Sequence, residues 1–451
     1  MIAPARIAAY DILSAVSSGT ADLPGAIAFA RGTLHDDRDR ALAFEIATGV
    51  QRWRATLDHL IVEFARRHID RLDPEIVEIL RLSIYQLLHL TRVPAAAVVD
   101  DAVDLAKRAG KKSASGFVNA ILRTISRRRG DLPLPPRPAD PVDRAAALDY
   151  FSVTLSHPRW LAGRWLDRLG FDTAETWMKF NNTAAPLTLR ANRLVTTPEA
   201  LKKHLDDEDV RVRPGEFAPD ALRVEEGYPL RGEGLANGWF VVQDEASQLV
   251  AIAAAASPGI RVLDACASPG GKTTAMAAAM DGRGLIVASD LRNRRVQLLR
   301  QTVQAARASR IAIVQTDLLN PLPFAASFDL VVVDAPCSGL GTLRRDPDIR
   351  WRRSEHDLPA LAAAELRMLR NAAAVVAPGG RLLYATCSSE PDENEAVADA
   401  FVASTDQFTP IDARAAAPAL AEAVVDRRGH LRTEPHRHGL EAFFAANFRR
   451  M

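Results

Sequence analysis

At 451 residues the chain is longer than one hydrophobic core ordinarily serves, so two or three domains are expected. Hydrophobic residues make up 48% and charged residues 25%, a balance that excludes a disordered or collagen-like chain, and no apolar run approaches a membrane span. Three cysteines exclude a disulfide scaffold, the first residues lack a secretory apolar segment, and a net charge of +1 announces no nucleic-acid partner, so a cytoplasmic protein with free thiols is expected.

From Ala5 to Arg128 the apolar spacing is helical. Ile76, Ile79, Leu80, Ile84 and Leu87 recur at three and four residues, and Val98, Val99, Ala102 and Leu105, then Phe117, Ile121 and Ile125, continue the pattern. Five to seven helices are predicted over residues 1–130. The run Lys107, Arg108, Lys111, Lys112, Arg123, Arg127, Arg128 and Arg129 is either a set of solvated helix ends or a surface for phosphates. Residues 131–141, Asp-Leu-Pro-Leu-Pro-Pro-Arg-Pro-Ala-Asp-Pro, predict a semi-rigid linker, because proline lacks the amide donor and favours extended backbone.

Residues 142–238 predict a small mixed module. Its first part is helical, with Trp160, Leu161, Trp165 and Leu166 as an apolar stripe, and Leu187, Leu189, Ala191 and Leu194 form a short strand-like run. Over residues 239–451 short apolar strands alternate with helices, the signature of a mostly parallel sheet covered on both faces. In such sheets ligands bind beyond the carboxyl ends of the strands. Asp264, Asp290, Asp317, Asp334, Cys337 and Cys387 all fall at such ends.

The segment Asp264-Ala-Cys-Ala-Ser-Pro-Gly-Gly-Lys-Thr273 offers a tight glycine turn at Gly270 and Gly271 before a helix N-terminus. It is not a triphosphate loop, since Cys266 occupies the first glycine position of Gly-x4-Gly-Lys-Thr, and the dinucleotide pattern Gly-x-Gly-x-x-Gly is absent. The acidic residues suit a nucleoside instead, with Asp290 accepting from a ribose diol and Asp317 from an adenine amino group. S-adenosylmethionine fits that description, its ammonium and sulfonium being compatible with nearby carboxylates. Asp264, Cys266, Ala267, Ser268, Pro269, Gly270, Gly271, Lys272, Asp290, Asp317 and Asp334 are the candidate cofactor residues. His436 and His438 lack partners at ligand spacing, so no metal is expected.

Two thiols at one sheet edge with an acid, Asp334, suit methylation of a pyrimidine carbon. C5 of cytosine becomes nucleophilic once a thiolate adds to C6 and an acid hydrogen-bonds N3. Residue chemistry alone leaves open which of Cys337 and Cys387 attacks. The target base must be unpaired or flipped out. Arg190, Asn192, Arg344, Arg345 and Arg350 are candidate RNA contacts around the cleft.

The segments Asp264–Thr273, Asp334–Gly341 with Arg344-Arg-Asp-Pro-Asp-Ile-Arg-Trp351, and Tyr384-Ala-Thr-Cys-Ser388 with Pro391-Asp-Glu-Asn-Glu395 resemble the bacterial 16S ribosomal RNA cytosine-C5 methyltransferases. Arg38–Glu45, Ile79–Leu88 and Gly116–Leu122 resemble that family's N-terminal domain, which is similar to the antitermination factor NusB. Leu187–Asn192 resembles its RNA-side module, and Pro435–Leu440 with Phe443 and Phe444 its terminal strands. Ser268 stands where the family usually has Ala, and Glu441-Ala442 where it usually has Asp-Gly.

The resemblance implies a multidomain protein: an all-α NusB-like domain, a small α/β RNA-side module and a Rossmann-like α/β class I S-adenosylmethionine-dependent methyltransferase domain. It further implies Cys387 as nucleophile, Cys337 as the residue assisting release, Asp334 as the acid at the base, and ribosomal RNA as partner. A transfer-RNA cytosine-C5 methyltransferase shares the catalytic pattern but is not expected to carry the helical extension. A non-catalytic RNA-binding or antitermination factor leaves the ordered Asp and Cys positions without purpose.

Overall fold

The computed structural model describes residues 2–451, which form two compact units: residues up to 183 together with 343–355, and residues 184–342 together with 356–451.

The first unit begins with α1 (Pro4–Ser17), α2 (Leu23–Arg31), α3 (Asp37–Arg52), α4 (Arg54–Ala65), α5 (Pro74–His89), α6 (Ala95–Arg108) and α7 (Ser115–Arg127). Proline opens the first turn of α1 and α5, where its missing amide costs nothing. Asp22 and Asp36 cap α2 and α3 by accepting from Gly25 N and Arg38 N. Every residue of α5 from Ile76 to Leu87 is buried, which makes it the central helix. Its buried charge is satisfied locally, since Arg81 donates to Asp58 at 2.6 and 2.8 Å and to Glu78 at 2.5 Å. Gly49 lets α3 lie against Tyr85, where a Cβ would fall 1.9 Å from the ring.

The unit does not end at residue 130. Leu132 and Leu134 pack on the helical core, the Pro133 carbonyl lies 2.8 Å from His59 Nε2, and Thr154 Oγ1 donates to the Pro135 carbonyl at 2.6 Å. The proline-rich stretch is therefore an extended strap fastened to this unit. It leads into α8 (Arg144–Asp149), α9 (Arg159–Leu169) and α10 (Phe171–Asn181), which pack in the first compact unit. Aromatic stacking holds them, with Phe151 and Phe171 centroids 4.9 Å apart and Trp165 and Trp177 5.3 Å apart.

The second unit carries two sheets. β1 (Thr188–Ala191), β2 (Arg211–Pro214), β3 (Ala221–Glu226) and β4 (Phe240–Val242) make an antiparallel sheet in the order β2-β3-β1-β4, packed through Leu189, Leu201, Leu205 and Phe240. The large sheet comprises β5 (Arg261–Asp264), β6 (Leu285–Asp290), β7 (Ile311–Gln315), β8 (Phe328–Asp334), β9 (Val376–Thr386), β10 (Phe408–Ile411), β11 (Leu431–Thr433) and β12 (Phe443–Arg450). Its order is β10-β12-β9-β8-β5-β6-β7, with β11 beside β12; β5 to β9 run parallel and β12 antiparallel to β9 and β10.

Helices Glu245–Ala254 and Gly271–Ala279 cover one face of this sheet, and Asp357–Ala373 and Glu395–Ala403 cover the other. The strand order reverses at β5, which lies between β6 and β8, and that switch point opens a crevice at the strand ends. Asp264 pairs in register with Val332 of β8, and Asp334 with Ala385 of β9, so these ends are contiguous.

Candidate active site

The loop after β5 is tied to the end of β6. Ala267 N donates to the Ser289 carbonyl at 2.8 Å and Ser268 N to Asp290 Oδ2 at 3.2 Å, while Arg295 reaches Asp290 Oδ2 at 3.1 Å and the Ser268 carbonyl at 2.8 Å. Gly270 has φ +109°, and a Cβ there would lie 2.9 Å from Leu299, so the turn needs glycine on both counts. Thr273 Oγ1 donates to Asp264 Oδ2 at 2.7 Å, leaving Asp264 Oδ1 buried and unpartnered. Burial, with Asp334 and Asp290 nearby, pushes this carboxyl up to about 7. An unsatisfied buried acid aimed at a glycine turn suits an ammonium group, which is what the methionine end of S-adenosylmethionine carries. Asp290 closes β6 beside the same turn. Asp317 is engaged in its own loop, accepting from Leu319 N at 3.0 Å and Asn320 Nδ2 at 2.7 Å.

The thiols meet one strand over. Cys337 follows β8 and Cys387 follows β9, and their sulfurs lie 3.4 Å apart. The hydrogen bond to the Cys387 sulfur and burial push the Cys337 thiol well above its ordinary value, which favours its protonated form. Cys266, by contrast, has its thiol raised by burial and by the surrounding carboxylates, which makes it an inert packing residue. Lys272 Nζ contacts Asp334 Oδ2 at 2.6 Å and lies 5.5 Å from the Phe443 ring centroid. Burial opposes the Lys272 charge, but Asp334 and Cys387 more than offset it, leaving the ammonium above its ordinary value.

Four of the five expected RNA contacts are occupied inside the protein. Arg190, buried on β1, donates to the Gly271 carbonyl at 2.6 Å and Thr274 Oγ1 at 2.8 Å, and burial pushes it down to about 10. It braces the glycine turn. Asn192 donates to the Gly238 and Ala306 carbonyls at 2.7 and 2.8 Å. In the first unit, Arg350 is fully buried and donates to the Ser156 carbonyl at 2.9 Å and Asn182 Oδ1 at 3.1 Å; burial and Arg52 push it down to about 9. The buried Arg344 guanidinium stacks 4.0 Å over Phe180. Residues so enclosed present no surface to a phosphate, whereas Arg345 stays partly exposed.

Sequence reasoning overlooked the polar groups behind the thiols. Glu393 accepts from Ser338 N at 2.6 Å, from Ser338 Oγ at 2.6 Å and from Ser388 Oγ. Tyr384 OH lies 2.9 Å from Glu365 Oε2, and burial followed by the Glu393 charge pushes Glu365 up to about 9. The only signal was position: Ser338 and Ser388 each follow a cysteine, and Glu393 lies in the quoted Pro391–Glu395 segment.

Comparison with known proteins agrees with this architecture. Three families match in order along the chain: NusB over residues 3–127, the ferredoxin-like domain of RsmF/B-like methyltransferases over 157–231, and 16S rRNA methyltransferase RsmB/F over 251–449. The probable ribosomal RNA small subunit methyltransferase B of Bacillus subtilis is 32% identical, covering 92% of this chain and 91% of its own length. That of Pseudomonas putida is 36% identical over 89% of each. The chain belongs to the RsmB/F family of 16S rRNA methyltransferases.

As a family member it is an S-adenosylmethionine-dependent RNA cytosine-C5 methyltransferase, and its helical extension is the family's NusB-like domain. The crystal structure of PH0851 shares the fold, with a TM-score of 0.81 over 99% of both chains at 24% identity.

Proposed function

We propose that this enzyme methylates C5 of a cytosine in 16S ribosomal RNA, in the cytoplasm, through a covalent bond between Cys387 and C6 of the base. The observation that supports the reading is the 3.4 Å contact between the Cys337 and Cys387 sulfurs, with burial and that contact raising the Cys337 thiol and so disfavouring it as the attacking thiolate. The Lys272 ammonium, raised by Asp334 and Cys387, adds positive charge to the site of this sulfur.

Cys387 Sγ adds to C6, and the electrons displaced toward N3 are met by a proton from the Asp334–Lys272 pair. The Ala267–Lys272 turn with Asp264, Asp290 and Asp317 would hold S-adenosylmethionine, which would supply the methyl group for C5. For release, the C5 proton passes to solvent and its electrons rebuild the C5–C6 double bond. As that double bond forms the C6–S bond breaks, its electron pair leaving with the sulfur, and Cys337 stabilises the departing Cys387 thiolate by donating a hydrogen bond. The N3 proton returns to the Asp334–Lys272 pair.

The test is a pair of variants on a 16S fragment. Cys387→Ala is expected to show neither turnover nor a covalent enzyme–RNA species. Cys337→Ala is expected to form that species and break it down at least about tenfold more slowly. Multiple turnover by the Cys387 variant would refute the assignment.

A further inference from the structure

Glu393 is fully buried, yet its carboxylate takes no part in the steps above. Its two oxygens accept from the backbone N–H of Ser338, the hydroxyl of Ser338 and the hydroxyl of Ser388. Ser338 follows Cys337 and Ser388 follows Cys387, so a single carboxylate bridges the two thiol-bearing loops at the residues adjoining the sulfurs. The hydroxyls are also in mutual contact at 3.2 Å, and each accepts from its own loop: Leu340 N at 3.3 Å for Ser338, Glu390 N at 3.1 Å for Ser388.

The bridge is itself anchored. The Glu393 carbonyl accepts from Tyr384 OH at 2.5 Å, and Asn394 joins Thr386 Oγ1 at 2.5 Å and the Ser388 carbonyl at 3.1 Å. Tyr384 and Thr386 lie on β9 immediately before Cys387, so the clamp is built on a rigid strand. Behind it stands Glu365, whose raised value keeps it protonated near neutral pH and holds down the negative charge in this dry cluster.

We infer that Glu393 is a positioning residue for adduct breakdown: it sets the distance between the Cys337 and Cys387 sulfurs at the moment the latter must leave the base. The inference rests on the roles assigned to those thiols above. Overall folding of the loops does not depend on it, because backbone bonds already join them on either side, Ala335 N to the Ala385 carbonyl at 2.8 Å and Gly341 N to the Cys387 carbonyl at 2.9 Å. What the carboxylate adds is a connection in the middle. Glutamine cannot reproduce it, since every group facing Glu393 in this bridge is a donor and an amide must turn its own N–H toward one of them.

The experiment uses the full-length enzyme, a 16S fragment and methyl-labelled cofactor, and follows single-turnover transfer, steady-state turnover and covalent enzyme–RNA on denaturing gels. Glu393→Gln is expected to transfer its first methyl within about threefold of the unsubstituted enzyme, turn over at least about tenfold more slowly, and accumulate a covalent species. Adding Cys387→Ala to it should remove that species. A fall of first and steady turnover together without accumulation, or unchanged turnover, would overturn the inference. Should Glu393→Gln not fold, Ser388→Ala deletes one strut and is judged by the same split, with its absence counting against the clamp. Failure of the thiol assignment looks different, because Cys387→Ala alone would then turn over.

Discussion

Burial and the neighbouring carboxylates take Asp264 well away from its ordinary chemistry. Its folded value, about 7, lies above that of an unfolded aspartate near 4, so its contribution to stability is fully present at acid pH. That contribution is lost as pH rises through about 7, and the difference of about three powers of ten is worth about 4 kcal/mol. Without cofactor, Asp264→Asn is therefore expected to melt higher than the unsubstituted protein at pH 8 and to flatten the pH profile, while S-adenosylmethionine binding is lost. A variant that melts lower at pH 8 and still binds would contradict the ammonium role. The acid was legible from its place after an apolar strand. Its orphaned oxygen was not, because that depends on Thr273 of the following helix reaching back across the loop to the end of β5. The arginines show the converse. Arg190 and Arg350 are long cations of the type that contacts RNA, and only the packed structure shows that their charge is spent on internal carbonyls.

At the scale of elements, the site depends on how the β8 and β9 loops close on each other. Gly341 lies where a Cβ would fall 2.1 Å from the Ala442 carbonyl oxygen and 2.7 Å from that of Cys387, backbone atoms with nowhere to retreat. Gly341→Ala must push the Cys387 loop away. A displacement of that size is expected to lower turnover by at least about a hundredfold. Cofactor binding, measured by calorimetry, should stay within about threefold, since the Gly270 turn lies on a different loop. Equal loss of both would place the substitution's effect in the whole sheet. The parallel strands and their functional ends were readable because continuous apolar runs bounded by Asp or Cys have few alternative interpretations. β10 and β11 were not anticipated: they are four and three residues long and acquire strand character only by pairing with β12.

For the molecule as a whole, the proline-rich stretch shows what a proline run can still do. Without amide donors it cannot join a helix or sheet, but its leucines and carbonyls can still be used, and here they bind residues 131–141 to the helical core. The arginine-rich segment after the Cys337 loop, residues 343–355, packs in the first unit. There Trp351 Nε1 donates to the Gln51 carbonyl at 2.7 Å and Asp348 accepts from Leu23 N at 3.1 Å, contacts across some 300 residues that no local pattern encodes. The basic run near α7 is partly neutralised, Lys111 by Asp73 and Glu75 and Arg128 by Asp131, but Lys112, Arg127 and Arg129 remain exposed. If the NusB-like domain supplies RNA surface, reversing these three charges should raise KM for a 16S fragment about tenfold or more and lessen its salt dependence, with kcat unchanged. An unchanged KM would assign the domain to protein docking instead.

The covalent step through Cys387 is open to direct observation. A 16S fragment carrying 5-fluorocytidine at the target position has no C5 proton to surrender, so the enzyme should remain attached after methyl transfer. Peptide mapping of the trapped enzyme is expected to find the nucleotide on Cys387; attachment at Cys337, or none with methyl transfer intact, would contradict the mechanism.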